Sequence, residues 1–566
     1  MPIRIEGRVG RALLIVAMVA VARAGIAAPA AETVDLDALH LIKEEGLQRS
    51  RVMEFASYLT DVYGPRLTGS PNLRAAGQYI VDTYKQLGLK NAHLEPWGPF
   101  GQGWRPLYFE AHVTGPQGYP LVGFSKAWTP GTAGRVTGEA VQISLARPED
   151  LDAWRGKLRG KFVLLGPPRD FAPPFQPSAK RLTDVELGEL AKDPEPGRPG
   201  LRAAGQVTGT GAPAAPAPAL PLYMSPRDPS SPLPPPPLEA NRAFVAKRMQ
   251  FLLDEGVLAV LEPARGDAGL FIVQGGGPRD PKERPVVPQI VLAIEHYGRI
   301  SRTLAHKRAV TIEMEARNEF LTADLSSFNV IGEVPGSAHN EVVMIGAHLD
   351  SWHAGTGATD NAAGSAVVME AARILKATGL PLRRTVRVGL WSGEEEGLLG
   401  SRAYVKAHFA DRTTMTLTPE HAGLSAYFNL DNGTGAIRGI YAQNDDAVVP
   451  IFEGWCAPLR SLGVTTVSPR NTGGTDHLAF DDVGLPGFQF IQDPVDYDSR
   501  THHTNVDTFE RLQPGDMMKN AVVLAAFAYQ AAIRPGRLPR KPLPKPAPRR
   551  PPIPPSAPSP TASQGP

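Results

Sequence analysis

Histidines and carboxylates recur at the ends of apolar runs in the second half of the chain, and this mixture without thiolate is suited to metal-assisted hydrolysis. The run VVMIGA ends in His348-Leu349-Asp350, which puts an imidazole and a carboxylate on the same side of an extended segment. Asp360 follows at the start of a helical stretch, Asn361-Ala362-Ala363-Gly364. TVRVGLW leads into Ser392-Gly393-Glu394-Glu395-Glu396-Gly397, and AYFNL leads into Asp431. After the run that ends at Ile491, a loop carries His502-His503-Thr504-Asn505-Val506-Asp507-Thr508.

Each position also has a plain structural reading. Asp360 is a good helix N-cap, His348 could be a hydrogen-bonded core histidine, the glutamates a solvated helix start, and His502 and His503 ordinary loop residues. Their conjunction points elsewhere. In a doubly wound sheet, residues just past the strands converge on one edge, where ligands gather. Several carboxylates packed there without a cation would have raised pKa values at a cost of several kcal/mol. A divalent cation turns that repulsion into coordination; zinc fits best, with manganese or cobalt as substitutes and calcium disfavoured by the histidines. The adjacent Glu394 and Glu395 allow one carboxylate to bind metal while its neighbour handles a proton.

The elements that would position these residues alternate between strand and helix. Val342–Ala347, Thr385–Trp391, Ala426–Leu430 and Gly487–Ile491 read as strands, with Ala362–Ala377 as a helix. This alternation predicts an α/β fold: a mixed central sheet with helices on both faces. Upstream, Val34–Leu89 reads as two helical pieces separated by the Gly- and Pro-containing turn Gly64–Ser70. From Pro106 to about Glu313 the texture changes to short strand-like runs rich in proline and glycine, which predicts an inserted β-rich domain. Within it, residues 194–237 form a Pro/Ala-rich excursion that cannot bury enough apolar surface to order itself, and the Pro- and Arg-rich tail of residues 535–566 reads the same way. The expected layout is therefore a signal segment at 1–30, catalytic pieces at 31–105 and 314–534, and the insert at 106–313 between them.

Composition narrows the function classes. With 42% apolar and 20% charged residues the chain is that of a folded protein, and a net charge of +2 gives no basic face for nucleic acid. The one cysteine, Cys456, leaves no internal disulfide and no cysteine-based zinc site. Arginines at positions 4, 8 and 11, the apolar run Ala12–Ala22 and the small residues before Ala30 read as a secretory signal, too short to span a bilayer. Export to the periplasm or the medium is the expected localisation, with no stable membrane span after cleavage.

GAHLDSWHAGTGATDNAAG, WSGEEEGLLGS, NLD and HHTNVDT, in that order, resemble the metal motifs of the di-zinc aminopeptidase and carboxypeptidase family, in the branch that contains plasma glutamate carboxypeptidase. The resemblance covers most of the chain outside the signal, the excursion and the tail. It implies two zinc ions per chain, one held by His348 and Asp431 and the other by Glu395 and His503, with Asp360 bridging them. It also implies Glu394 as general base and Asp350 as the residue that orients His348. His503 is preferred to His502 because it precedes Thr504 in the family's His-Thr-x-x-Asp pattern. Asp476 and His477, in Gly474-Thr475-Asp476-His477, resemble a stretch that borders the substrate pocket, with structural and catalytic roles equally open. The insert, with its strand KFVLLG, resembles a protease-associated domain. The implied function is a metallo-exopeptidase that cleaves peptides or dipeptides near a chain end through a hydroxide bridging the two ions. A glutaminyl cyclase-like enzyme with a single zinc and a metal-free receptor-like binding protein are the alternatives. The sequence leaves room for a homodimer and does not fix which peptide end is gripped.

Overall fold

The computed structural model describes residues 32–171, 173–192, 238–266 and 268–546. The signal at 1–30, the excursion at 194–237 and the tail beyond 546 lie outside the described residues. An eight-stranded mixed sheet carries the motifs, in the order Lys90–Trp97, Ser327–Val334, Arg384–Trp391, Ala338–His348, Leu424–Asn429, Gly487–Gln492, Ile437–Tyr441 and Thr466–Ser468. The strands ending at Trp391, His348, Asn429 and Gln492 run parallel to one another in the middle of the sheet. Their carboxyl ends therefore point to one edge.

Alternating side chains explain why the sheet is covered on both faces. Val343, Ile345 and Ala347, with Val386, Val388 and Leu390, enter one core beneath the helices Ala363–Thr378 and Pro514–Ile533. Met344, Trp391 and Tyr427 enter a second core with Tyr404 and Phe480, from the helices Leu399–His408 and His477–Asp481. Helix Ala363–Thr378 is buried from Ala363 to Leu375, as expected for a segment rich in alanine and valine wedged between the sheet and other helices. Gly346 is required by close approach, because a Cβ there would lie 2.5 Å from Gly389 O and 2.7 Å from Tyr427 Oη.

A second eight-stranded sheet is formed by strands between Gly103 and Leu321. Its strand Gly103–Gly115 pairs antiparallel with Thr311–Leu321 over nearly its whole length, so the expected limits at 106 and 313 fall inside one ladder. Pro106 reads as a strand breaker in sequence; in the ladder it sits at a register shift, where its missing N–H is tolerated.

Two further expectations are corrected and one plain structural alternative is excluded. The first helical stretch is broken not only at Gly64–Ser70 but also near Arg49, giving Leu36–Gln48, Val52–Ser57 with a π turn, and Pro71–Gln86 capped by Ser70. The glutamates 394–396 form a turn ahead of helix Leu399–His408 rather than a helix start. The tail does not loosen at residue 535: Leu538 is buried in the main core, and Arg540 donates to the carbonyls of His421 and Leu424 at 2.8 and 2.5 Å. Leu538 and the Arg540 hydrogen bonds dock the segment together. Among the described residues, no helix is long and apolar enough to cross a membrane.

Candidate metal centre

Register alone brings the first candidate ligands together. Gly346 lies opposite Asn429 in the parallel ladder, so two residues further on His348 and Asp431 stand level, while His348 itself is paired with Trp391 just before the glutamate turn. His348 Nε2 is 3.2 Å from Asp431 Oδ1 and 3.2 Å from Asp360 Oδ1. The second oxygen of Asp360 is 3.3 Å from His503 Nε2, which lies 2.9 Å from Glu395 Oε2. Asp360 thus stands between two imidazoles, one to each oxygen. It is no N-cap: its backbone is non-helical, at φ −130° and ψ 83°, and the α-helix begins after it at Ala363.

The remaining residues predicted from sequence fall in the same place. His348 Nδ1 lies 3.0 Å from the Asp350 carbonyl and 3.5 Å from its carboxylate. That carboxylate accepts from Thr68 Oγ1 at 2.9 Å and caps the backbone N–H groups of Glu394 and Glu395 at 3.4 Å. Gly393, at φ +73°, makes the turn that presents the two glutamates. His502 is farther out, 3.9 Å from Asp360 Oδ2, and packs against His503 with ring centroids 3.8 Å apart. Asp476 is fully buried and accepts from Ser401 Oγ at 2.5 Å, and His477 Nε2 faces Thr472 O at 3.1 Å.

Electrostatics follow from burial and crowding. Burial opposes charge on His348, but Asp431, Glu394, Asp350 and Asp360 outweigh it and hold the imidazole well above its ordinary value. Burial raises Glu394, Glu395 and Glu396 well above the usual carboxylate range, and neighbouring acidic groups add to it. Asp360, also buried, is nevertheless held below the usual range by His348, His503 and His502. Asp476 is pushed by burial up to about 7.

The donor set fits a cation. Two groups, Asp360 with His502 and His503, and His348 with Asp360 and Asp431, each gather potential ligand atoms within 4.8 Å. Among the described residues, Asp360 Oδ2 and Glu395 Oε1 are buried with no hydrogen-bond partner. Buried carboxylate oxygens without donors cost free energy that a cation removes.

Several supporting residues were not singled out from sequence. Arg66, fully buried, donates to Leu349 O at 2.7 Å, Leu59 O at 2.7 Å, Thr356 O at 2.8 Å and Gly357 O at 2.9 Å, tying the end of the His348 strand to the loop before Asp360. Asp507 accepts from Thr359 N at 2.7 Å and Asp360 N at 3.1 Å, and so aims the Asp360 backbone. The signal for it was present, as the Asp of His-Thr-x-x-Asp. Thr68, from the turn Gly64–Ser70, links Asp350 to Gly393 N at 2.9 Å.

The chain is similar to several known proteins. Residues 329–528 match the model of peptidase family M28. Carboxypeptidase Q of Bos taurus is 26% identical over 88% of this chain and 88% of its own. Among solved structures, a peptidase M28 precursor from Shewanella amazonensis SB2B superposes with a TM-score of 0.60 at 23% identity, covering 90% of this chain and 98% of that one. The zinc aminopeptidase BSAP from Bacillus subtilis does so with a TM-score of 0.52 at 17% identity, covering 86% and 95%. The fold is that of these solved peptidases, and the site gathers imidazole and carboxylate groups that could hold a cation. The likeness to peptidase family M28 is carried by residues 329–528, the stretch that holds the strands and loops of the candidate site.

Proposed function

We propose that the protein is an exported exopeptidase that binds two zinc ions and hydrolyses the terminal bond of short unblocked peptides. One ion would be held by His348 and Asp431, the other by Glu395 and His503, with Asp360 shared. The observation that carries this reading is the placement of Asp360, one oxygen 3.2 Å from His348 Nε2 and the other 3.3 Å from His503 Nε2. A single cation would leave one half of that arrangement without purpose.

Zinc in such a site supplies Lewis-acid polarisation of the scissile carbonyl and lowers the pKa of water. The chain's own residues do the rest. Glu394, presented by the same turn as Glu395 and supported with it by the Asp350 carboxylate, takes the proton from the attacking water at its carboxylate and returns it to the leaving amine nitrogen. Asp350 holds both the His348 ring and the glutamate turn, so the base and a ligand share one support. The region of residues 103–321, read as a protease-associated-type domain, reaches the site through Gln274.

Substitution of Glu394 by glutamine tests the assignment. The variant is expected to bind zinc as the parent does while hydrolysis of an unblocked dipeptide falls by about two to four orders of magnitude. Retained turnover with full zinc content would refute Glu394 as the base.

A further inference from the structure

We propose that Gln274, contributed by the second sheet's side of the molecule, is the positioning residue that sets the orientation of the His503 ring through its Nδ1. The inference rests on the two-ion reading above. The His503 ring is held at both nitrogens: Nε2 faces Glu395 Oε2 at 2.9 Å and Asp360 Oδ2 at 3.3 Å, while Nδ1 lies 3.2 Å from Gln274 Nε2. A ligating imidazole needs such a partner on its other nitrogen, because that contact fixes which nitrogen carries the proton and which way the ring points.

Gln274 is itself firmly mounted. Its carbonyl accepts from Ala127 N at 3.1 Å. The residues before it run antiparallel to the histidine loop: Ile272 bridges Thr504, Phe271 N donates to Asn505 Oδ1 at 2.8 Å, and Asn505 N donates back to Phe271 O at 3.1 Å. This clamp grips the loop just after His503, whose backbone lies in the left-handed region at φ +61°. Residues far apart in sequence are thus joined at one ligand.

The amide also has a direction. Its Nε2 group donates to His503 Nδ1, while its Oε1 accepts from Arg265 Nη2 at 2.5 Å. This matches a ring that carries its proton on Nε2, toward the carboxylates. With Nε2 taken by a cation the ring would carry its proton on Nδ1, and the same side chain, its amide turned over, would offer Oε1 as the acceptor.

The test uses the full chain, stripped with a chelator and titrated with zinc alone against a competing chromophoric chelator. In Gln274→Met, which keeps the side-chain length without the amide, the affinity for one of two ions is expected to fall about 10- to 100-fold, with the other unchanged. Gln274→Glu, a permanent acceptor, should restore wild-type affinity or exceed it. The proposal is overturned if Gln274→Met binds both ions within twofold of wild type. It is equally overturned if both variants lose both ions alike, the mark of a clamp that merely holds the loop. Failure of the two-ion reading is distinguishable, since it would show in the unsubstituted chain as uptake of fewer than two ions.

Discussion

Replacing Arg66 by methionine should damage the site through its scaffold, without touching a ligand. The guanidinium is wholly buried and spans four carbonyls in three segments, at 2.7 to 2.9 Å. Burial brings its pKa down to about 10, and only the surrounding Asp507, Asp350, Asp360 and Glu395 oppose that fall. A hydrogen bond from a charged donor contributes about 1.5–3 kcal/mol net. Four of them would exceed the usual effect of one substitution, but part is offset because a buried cation no longer has to be desolvated. The net expectation is a loss of about 3–5 kcal/mol, the range typical for breaking a buried charged network. With an unfolding entropy of about 2.1 cal/mol/K per residue, a chain of this size shifts by about 1 °C per kcal/mol, so the melting temperature of the zinc-free protein falls by roughly 3–5 °C, read by calorimetry. Arg66→Lys, with one ammonium able to reach fewer carbonyls, should fall between. A methionine variant that melts within about 2 °C of wild type would refute the claim that Arg66 ties these segments together.

Two other perturbations probe the scaffold. Leu538→Ala should cost about 2–5 kcal/mol as a core truncation, measured by denaturant unfolding, whereas a disordered tail would show no change. His408, 2.8 Å from Glu95, has its pKa raised chiefly by that contact against the opposing effect of burial. A raised folded-state pKa means that this stabilisation is complete below the unfolded value of about 6.5 and is lost as pH rises through the folded value. Melting temperatures taken across that window should decline more in wild type than in His408→Gln; parallel curves would exclude the pair as a contributor.

Much of the site was legible because strand register does most of the assembly. His348, Glu395 and Asp431 sit at or just past the ends of parallel strands, and apolar runs followed by polar residues announce such ends. Asp360 and His503 were legible through motif resemblance more than through local pattern, since one follows a loop and the other occupies a left-handed backbone position that no periodicity signals. Arg66, Thr68 and Gln274 act through contacts between segments hundreds of residues apart, and nothing in local sequence distinguishes a buried tethering arginine from an exposed one. The break near Arg49 and the docked segment at Leu538 were missed for a related reason: one is decided by how helices meet, the other by one buried leucine and the hydrogen bonds of Arg540 to a distant strand.

The central claim, two zinc ions around Asp360 driving hydrolysis, is tested most directly by elemental analysis of the purified protein paired with cleavage of an unblocked dipeptide and an aminoacyl anilide, before chelation, after it and on adding zinc back. About two zinc ions per chain, with hydrolysis lost on chelation and regained with zinc, is the predicted result. One ion with no hydrolysis of either substrate, or full hydrolysis in the chelated protein, would contradict it.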